Sequence, residues 1–486
     1  MSSLRRLLPL VTLAAGIAAL YLYNLNAVGV LGPDEPRYAA IGRAMAHSGD
    51  PITPMLWGTP WFEKPPLLYW LTALGTLAHL DPELSARLPV ALLSLAFLSV
   101  SFFLLRSEFG PQAAAVSIVL LASCAGWITY SQLCLTDLPL AVCFSLAVFL
   151  ALPLLRSGPP PHHVPLRLLA IGASLGFAAL AKGLVPIALS LPFLWFLRGY
   201  ARRWWFAFLA FVLVALPWYS AVYHRNGFPF IQDFFLKHHL ERLYSPSLQH
   251  VQPWYYYLPV LLAGTFPWTP LLGLLALRWV KWDQRRTFLA VICAFGLLLF
   301  SVSLNKLPGY LLPLLPSLFV LIGAQFELRT LGPLSRWWLL PCALLIALIP
   351  LLAQVLPQSL GAGRIPFVGV RSVARTEWFY VALPVVVVFL ARRSWAGLLL
   401  VLCVVSSGIY LKARVYPVLD QEVSARQLWR QVQPVSEKIC EDWATRDFVY
   451  GLSFYRGSLI PPCYNVKLPY RLLSHGHGPP TIERVR

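Results

Sequence analysis

The chain has 486 residues, 58% of them apolar, 14% aromatic and only 12% charged, with a mean hydropathy of +0.65. A soluble globular chain carries about 25% charged residues. This composition therefore leaves too little polar surface to coat a water-soluble particle, and it excludes a disordered chain, a coiled coil and a disulfide-rich secreted scaffold. The formal charge of +19 raises nucleic acid as a partner, but the basic residues stand as ones and twos between apolar runs. The reading is an all-α polytopic membrane protein, with the lipid bilayer and no nucleic acid as its surroundings.

A bilayer core of about 30 Å takes roughly 20 apolar residues per helix. Such runs occur at Leu7–Leu31, Arg87–Arg106, Ala113–Tyr130, Leu138–Leu155, Leu166–Ala181, Leu184–Arg198, Arg203–Tyr223, Tyr257–Leu277, Arg285–Ser303, Pro308–Phe326, Arg336–Leu356, Glu377–Ala391 and Trp395–Leu411. These thirteen spans predict a transmembrane domain over 1–411 and a small α/β C-terminal domain over 412–486. Arg5 and Arg6 precede the first run and no small-residue cleavage site follows it, which reads as an uncleaved span. With the N-terminus in the cytoplasm, the cytoplasmic segments carry 16 basic residues against Glu108, Asp283 and Glu327. The positive-inside rule favours that orientation. The other 17 acids then lie outside, the side that also holds the long loops 32–86, 224–256 and 357–376 and the tail, so the C-terminal domain is predicted to be periplasmic. No acid sits mid-span, whereas ion-coupled transporters keep ionisable groups near the midplane. Chemistry at one membrane face fits this pattern better than passage through the bilayer.

Loop 32–86 is the most informative stretch. It holds Asp34-Glu35-Pro36-Arg37-Tyr38, a short helical segment 38–47, a Ser48-Gly49-Asp50 turn, and Phe62-Glu63-Lys64-Pro65-Pro66. The apolar segment 67–80 that follows is too short to span and reads as an interfacial helix. Asp34-Glu35 can equally be helix-capping acids, and Glu63-Lys64 a solvated turn. Together with Asp137, which returns to the same face between the third and fourth spans, they resemble a site more than a connector.

These motifs resemble those of the bacterial lipid A aminoarabinose transferases and the protein O-mannosyltransferase-like glycosyltransferases of the C-type fold. The resemblance continues through Thr136-Asp137-Leu138-Pro139, Ala181-Lys182-Gly183, His238-His239-Leu240-Glu241-Arg242, Trp254–Pro259 and Asn305-Lys306-Leu307-Pro308-Gly309-Tyr310, and weakens beyond Arg336. It implies a plasma-membrane enzyme of the bacterial inner membrane that takes a sugar from a polyprenyl (undecaprenyl) phosphate donor at the periplasmic face. The acceptor is an envelope glycolipid such as lipid A or, as in the mannosyltransferases, a protein. A flippase or transporter of lipid-linked substrates is the alternative from another class, and it would require intramembrane charge and internal repeats.

Such a transfer must orient the acceptor, stabilise charge on the leaving phosphate and accommodate a lipid tail. Asp34 is the candidate general base or acceptor-orienting carboxylate, matching the family's first-loop aspartate. Asp137 is the second carboxylate and Glu63 the third. Arg37, Lys64, Lys182, Arg242 and Lys306 are the candidate phosphate-binding cations, with Tyr310 as a hydrogen-bond donor. Lys182 and Lys306 can also be lysines that snorkel at span ends, and Arg242 a solvated charge. Glu63 with His239, which aligns with a family histidine, is a candidate site for a divalent metal ion. Trp254–Tyr257 reads first as an interfacial aromatic belt. In the tail, 423–432 is predicted as a short helix and 448–455 as a strand. Cys440 and Cys463 lie on the side where a disulfide is permitted.

Overall fold

A computed structural model describes residues 2–159, 161–241, 251–276, 282–326, 336–362, 378–474 and 479–484. The protein is mostly helical. Among the described residues, seven helices are long and apolar enough to cross a membrane, or eight if Tyr257–Thr265 and Thr269–Ala276, bent by 107°, form one span. Shorter apolar helices occupy most of the other predicted runs, including Val185–Phe196, Trp337–Ala353 and Trp378–Leu390. Helix length thus supports a multi-pass membrane protein without by itself carrying the count of thirteen. The predicted span Arg87–Arg106 and the first part of Ala113–Tyr130 fall within one helical element, α4 (Pro82–Ala122), which breaks at Gly110 (φ 83°, ψ 163°). Glycine adopts that left-handed φ without a side-chain clash, and Pro111 biases the residue before it out of the helical region. The bent pair follows the same logic, with Phe266 extended ahead of Pro267 (φ −53°, ψ 138°).

At the end of the bundle that carries loop 32–86, α1 (Ser2–Leu22) leads through the linker 23–33 to α2 (Asp34–Ser48). A short antiparallel hairpin follows, β1 (Met55–Leu56) against β2 (Thr59–Pro60), turning at Trp57-Gly58. Next comes α3 (Leu67–Leu77), the predicted interfacial helix, which packs on α2 and on the start of α4. Beyond α5 (Ala125–Tyr130), α6 (Asp137–Ala151) and α7 (Val164–Lys182) form an antiparallel pair in close contact.

The tail forms a small core of its own, with Leu428, Val432, Ile439, Phe448, Leu452 and Leu472 buried together. Helical chain continues from the last apolar span to Val423, and this core begins at Ala425. Its sheet has the order β3 (Ile439–Glu441), β4 (Tyr470–Leu473), β5 (Thr481–Arg484), parallel and then antiparallel. The structure joins Cys440 to Cys463 by a disulfide. The helix Ala425–Val432 lies where a short helix is predicted, but 448–455 is not a strand. It belongs to the helix Arg446–Arg456. Phe448, Val449 and Leu452 share one buried face at helical spacing, Thr445 precedes the helix, and Gly457 ends it at φ 85°. These start and stop signals outweigh the β-propensity of the aromatic residues.

One buried ion pair ties these parts together. Glu35 and Arg87 are 1% and 2% exposed and pair in bidentate fashion, Nε to Oε1 at 2.8 Å and Nη2 to Oε2 at 2.7 Å. The guanidinium also donates to the carbonyls of Leu25, Val28 and Gly29, while the carboxylate accepts from the amides of Leu31 and Cys134. Removing one partner would strand a buried charge, which typically costs about 3–5 kcal/mol. Glu35→Ala and Arg87→Ala are each expected to destabilise on that scale. The double variant is expected to be less destabilised than the sum of the two, as followed by tryptophan fluorescence during thermal unfolding in detergent.

Candidate active site

The predicted acids and bases assemble in two clusters at this end of the bundle. In the first, Asp34 opens α2, where the positive end of the helix dipole favours an acid, and it is bonded to Arg37 one turn on. Arg37 also donates from Nε to the Pro33 carbonyl at 2.9 Å and lies 3.4 Å from Glu63. Glu63 in turn pairs with Lys64 at 3.0 Å. The order is thus Asp34, Arg37, Glu63, Lys64, alternating in sign along α2 and the irregular segment leading into α3.

The second cluster lies where α6 begins and α7 ends. Antiparallel packing brings Asp137, at the N-terminus of α6, against Lys182, at the C-terminus of α7, with Nζ to Oδ1 at 2.6 Å. Each charge complements the dipole of its own helix. The Lys182 ammonium also sits 4.7 Å from the centroid of the Tyr310 ring, a cation–π contact. Gly309 makes the approach possible, since a Cβ there would fall 2.6 Å from the Asp137 carboxyl carbon. The two clusters are connected through Glu35, whose carboxylate accepts from the amide of Cys134, three residues before Asp137.

The other candidates are placed differently. The Lys306 ammonium donates to the carbonyls of Ser303 at 2.6 Å and Gln252 at 3.0 Å, so it anchors the backbone of the 251–252 segment. Arg242 lies outside the described residues, as does the side chain of His239. Among the described residues no group of three or more metal-type ligands occurs, and Glu63 pairs with the cations Arg37 and Lys64.

Loop and tail residues that sequence reasoning did not select complete the surroundings. The Arg37 guanidinium lies 5.3 Å from the Trp61 ring and 5.4 Å from that of Tyr450, while Trp57 packs on Tyr450 with centroids 5.5 Å apart. The indole Nε1 atoms of Trp57 and Trp61 are buried and have no hydrogen-bond partner among the described residues. Tyr450 and Asp447 come from the helix Arg446–Arg456 of the tail, so the C-terminal segment forms one wall of the site. The two tryptophans flanking Gly58-Thr59-Pro60 were a usable signal. Nothing local marked Tyr450 or Asp447.

These features define a mostly helical, multi-pass membrane protein with a charged, aromatic-walled end. The family model for dolichyl-phosphate-mannose-protein mannosyltransferase matches residues 6–226. The undecaprenyl phosphate-alpha-4-amino-4-deoxy-L-arabinose arabinosyl transferase 2 of Pseudomonas fluorescens is 33% identical over 333 residues, 65% of this chain and 55% of the relative. The corresponding transferase of Pectobacterium atrosepticum is 33% identical over 338 residues, covering 66% and 59%. The chain thus spans well under two thirds of the length of these relatives. The crystal structure of ArnT from Cupriavidus metallidurans bound to undecaprenyl phosphate superposes with a TM-score of 0.74 at 26% identity, over 93% of this chain and 85% of that one. In sequence and in fold the chain is thus similar to these arabinosyl transferases and to ArnT.

Burial, and then the charge of Asp34, raise the pKa of Asp447 above its ordinary 3.8. An acid raised in this way favours the folded state while protonated, and that contribution is lost as pH rises through the folded-state pKa. Asp447→Asn is therefore expected to raise the melting temperature at pH 7 by about 1–2 °C. The difference should vanish below the ordinary carboxylate pKa, as read by thermal unfolding at pH 7 and pH 3.5.

Proposed function

We propose that the protein is an integral membrane glycosyltransferase that moves a sugar from a polyprenyl phosphate donor to an envelope glycolipid acceptor such as lipid A. The reaction takes place at the periplasmic face of a bacterial plasma membrane, reached by thirteen spans with the N-terminus in the cytoplasm and the C-terminal domain outside. One observation carries this reading. Carboxylates and cations alternate at a single end of an apolar bundle, with Asp34, Arg37, Glu63 and Lys64 in one cluster and Asp137, Lys182 and Tyr310 in the other. The other end carries a different set, with Glu108 bonded to Arg156 and Arg285, and Asp283 to Arg285 and Arg286. These residues fall in segments assigned to the cytoplasm.

In the transfer, an acceptor oxygen forms a bond to the anomeric carbon on the face opposite the donor phosphate. The bond from that carbon to the phosphate oxygen breaks, and the polyprenyl phosphate leaves with the bonding electrons. Asp34 is the more open of the two main carboxylates, its side chain 38% exposed against 15% for Asp137, which suits contact with an incoming acceptor. Arg37 orients it. If the acceptor is a hydroxyl, Asp34 takes the proton; if it is an ionised phosphate, Asp34 only orients. Lys64 and Lys182 offset the charge that develops on the leaving phosphate. Trp57, Trp61 and Tyr450 supply flat apolar surface and two free N–H donors for a sugar ring.

The mannosyltransferase family match over 6–226 favours a protein acceptor as the second reading, which a single assay resolves. Purified protein is incubated with radiolabelled polyprenyl-phosphate sugar and either lipid A or peptide. Label is expected to move to the glycolipid. Asp34→Asn is expected to lower kcat by about 10²–10⁴-fold with the melting temperature preserved, and Lys64→Gln to weaken transfer while still allowing acceptor binding. Wild-type turnover in Asp34→Asn would remove the aspartate from the mechanism.

A further inference from the structure

A cavity of about 290 Å³ opens within the bundle, lined by the end of α1, by α5, by Phe266 and Pro267, and by the helices Arg336–Ala362 and Arg393–Tyr410. None of the residues of the two charged clusters lines it. Three interruptions of regular helix meet on its wall: the break between α4 and α5 at Ser123, the bend at Phe266-Pro267, and a π-helical turn over Leu411–Val415. Within a membrane, irregular backbone is tolerated where it is buried in protein or lines a cavity. Discontinuous spans mark binding sites in many membrane proteins, and π-turns gather at functional positions.

Lys412 is the informative residue of the lining. It is 1% exposed, and its ammonium donates to the carbonyls of Leu20 at 2.7 Å and Tyr23 at 2.9 Å. An ammonium has three protons to donate, so one has no acceptor among the described residues. No acid pairs with Lys412 there, and the cavity lining holds no carboxylate. A buried charge without a counterion is costly, and an ionisable side chain inside a membrane bundle marks a functional site by default. A smaller cavity of about 180 Å³ shares Thr129, Gln132 and Tyr416 with the first and ends on Arg87, whose charge Glu35 already matches. The field in this void favours an anion.

The rest of the lining shows what carries that anion. Leu20, Ile128, Ile349, Leu352, Val404 and Leu411 all line the same cavity. From Val404 to Lys412 this apolar wall runs for about 12 Å along the helix axis at 1.5 Å per residue. Leu352 is 57% exposed, so the cavity opens sideways on the outer surface of the bundle, which faces lipid in a multi-pass protein. Lys412 bonds the end of α1, where the bundle meets loop 32–86, so its charge lies at the depth of lipid head groups.

We propose that this cavity binds an anionic phospholipid of the surrounding bilayer. A head-group oxygen accepts the third proton of Lys412, and part of one acyl chain lies along Val404, Leu411 and Ile349. The site is separate from the donor-phosphate cluster at Lys64 and Lys182. It requires only that the bundle lies in a membrane, and not that transfer proceeds through Asp34.

The test uses the full-length protein in detergent and native mass spectrometry, titrated with phosphatidylglycerol, with phosphatidylcholine of the same chains, and with polyprenyl phosphate as competitor. One retained phosphatidylglycerol is expected, bound more tightly than phosphatidylcholine and not displaced by equimolar polyprenyl phosphate. Lys412→Met is expected to lower the affinity for phosphatidylglycerol about tenfold, the scale of one lost charged hydrogen bond, and to leave phosphatidylcholine unchanged. A general loosening of the fold would weaken both lipids alike. Because Lys412 also holds two carbonyls of the α1 end, Leu352→Trp at the exposed mouth is measured as a variant that leaves those bonds intact. It is expected to weaken both lipids several-fold while Asp34-dependent transfer remains measurable. Wild-type affinity for phosphatidylglycerol in both variants would overturn the proposal. Displacement by equimolar polyprenyl phosphate would overturn it in favour of a path for the donor lipid.

Discussion

The geometry of the charged end depends on burying Glu35 and Arg87 together. An ion pair out of water is tolerable only when geometry and added hydrogen bonds satisfy both partners. Here Arg87 reaches the carboxylate twice and three carbonyls of the linker after α1. Glu35 adds the amides of Leu31 and Cys134. The pair therefore fixes four chain segments at one point: the linker, the first turn of α2, the first turns of α4 and the stretch before α6. Asp34 is the neighbour of Glu35 in sequence, and Asp137 follows Cys134 by three residues. Both carboxylates of the proposed mechanism inherit their positions from this one contact.

Helix ends do the rest of the positioning. Asp34 and Asp137 each begin a helix and Lys182 ends one, so each charge sits where the backbone field already favours it. The Asp137–Lys182 pair also needs α6 and α7 to return antiparallel, and it needs Gly309 to admit the carboxylate. Such a site needs little dedicated loop structure, since it is made from the termini of helices whose apolar lengths are held by the bundle.

The tail is part of this end as well. Arg426 donates to the carbonyls of Asn26 and Ala27 and pairs with Asp420, and Asp420 accepts from the amide of Gly29. Tyr455 bonds Glu83 at the start of α4. Through these contacts the helix Arg446–Arg456 is set against α2, which places Tyr450 over Arg37 and Phe454 over Arg43. One short helix thus borders both the candidate active site and a cavity lined by Arg43 and Phe454. Any shift of the tail would be felt at both.

Much of this was legible in the residues themselves. Composition and the length of the apolar runs determined a multi-pass helical protein, because burial in lipid demands about 20 apolar residues whatever the fold. The motifs of loop 32–86 singled out Asp34, Glu63 and Lys64, and those at the span ends singled out Asp137 and Lys182, because acids and bases beside apolar spans are costly unless they serve a purpose. Glu35 was visible only as a possible cap, and residues 448–455 read as a strand because aromatic content masked a helical face. Tertiary structure alone decided that Glu35 meets Arg87, that Asp137 meets Lys182 and that Tyr450 closes over Arg37. Each of these contacts joins residues far apart in the chain, and their pairing is set by which helix ends the packed bundle brings together.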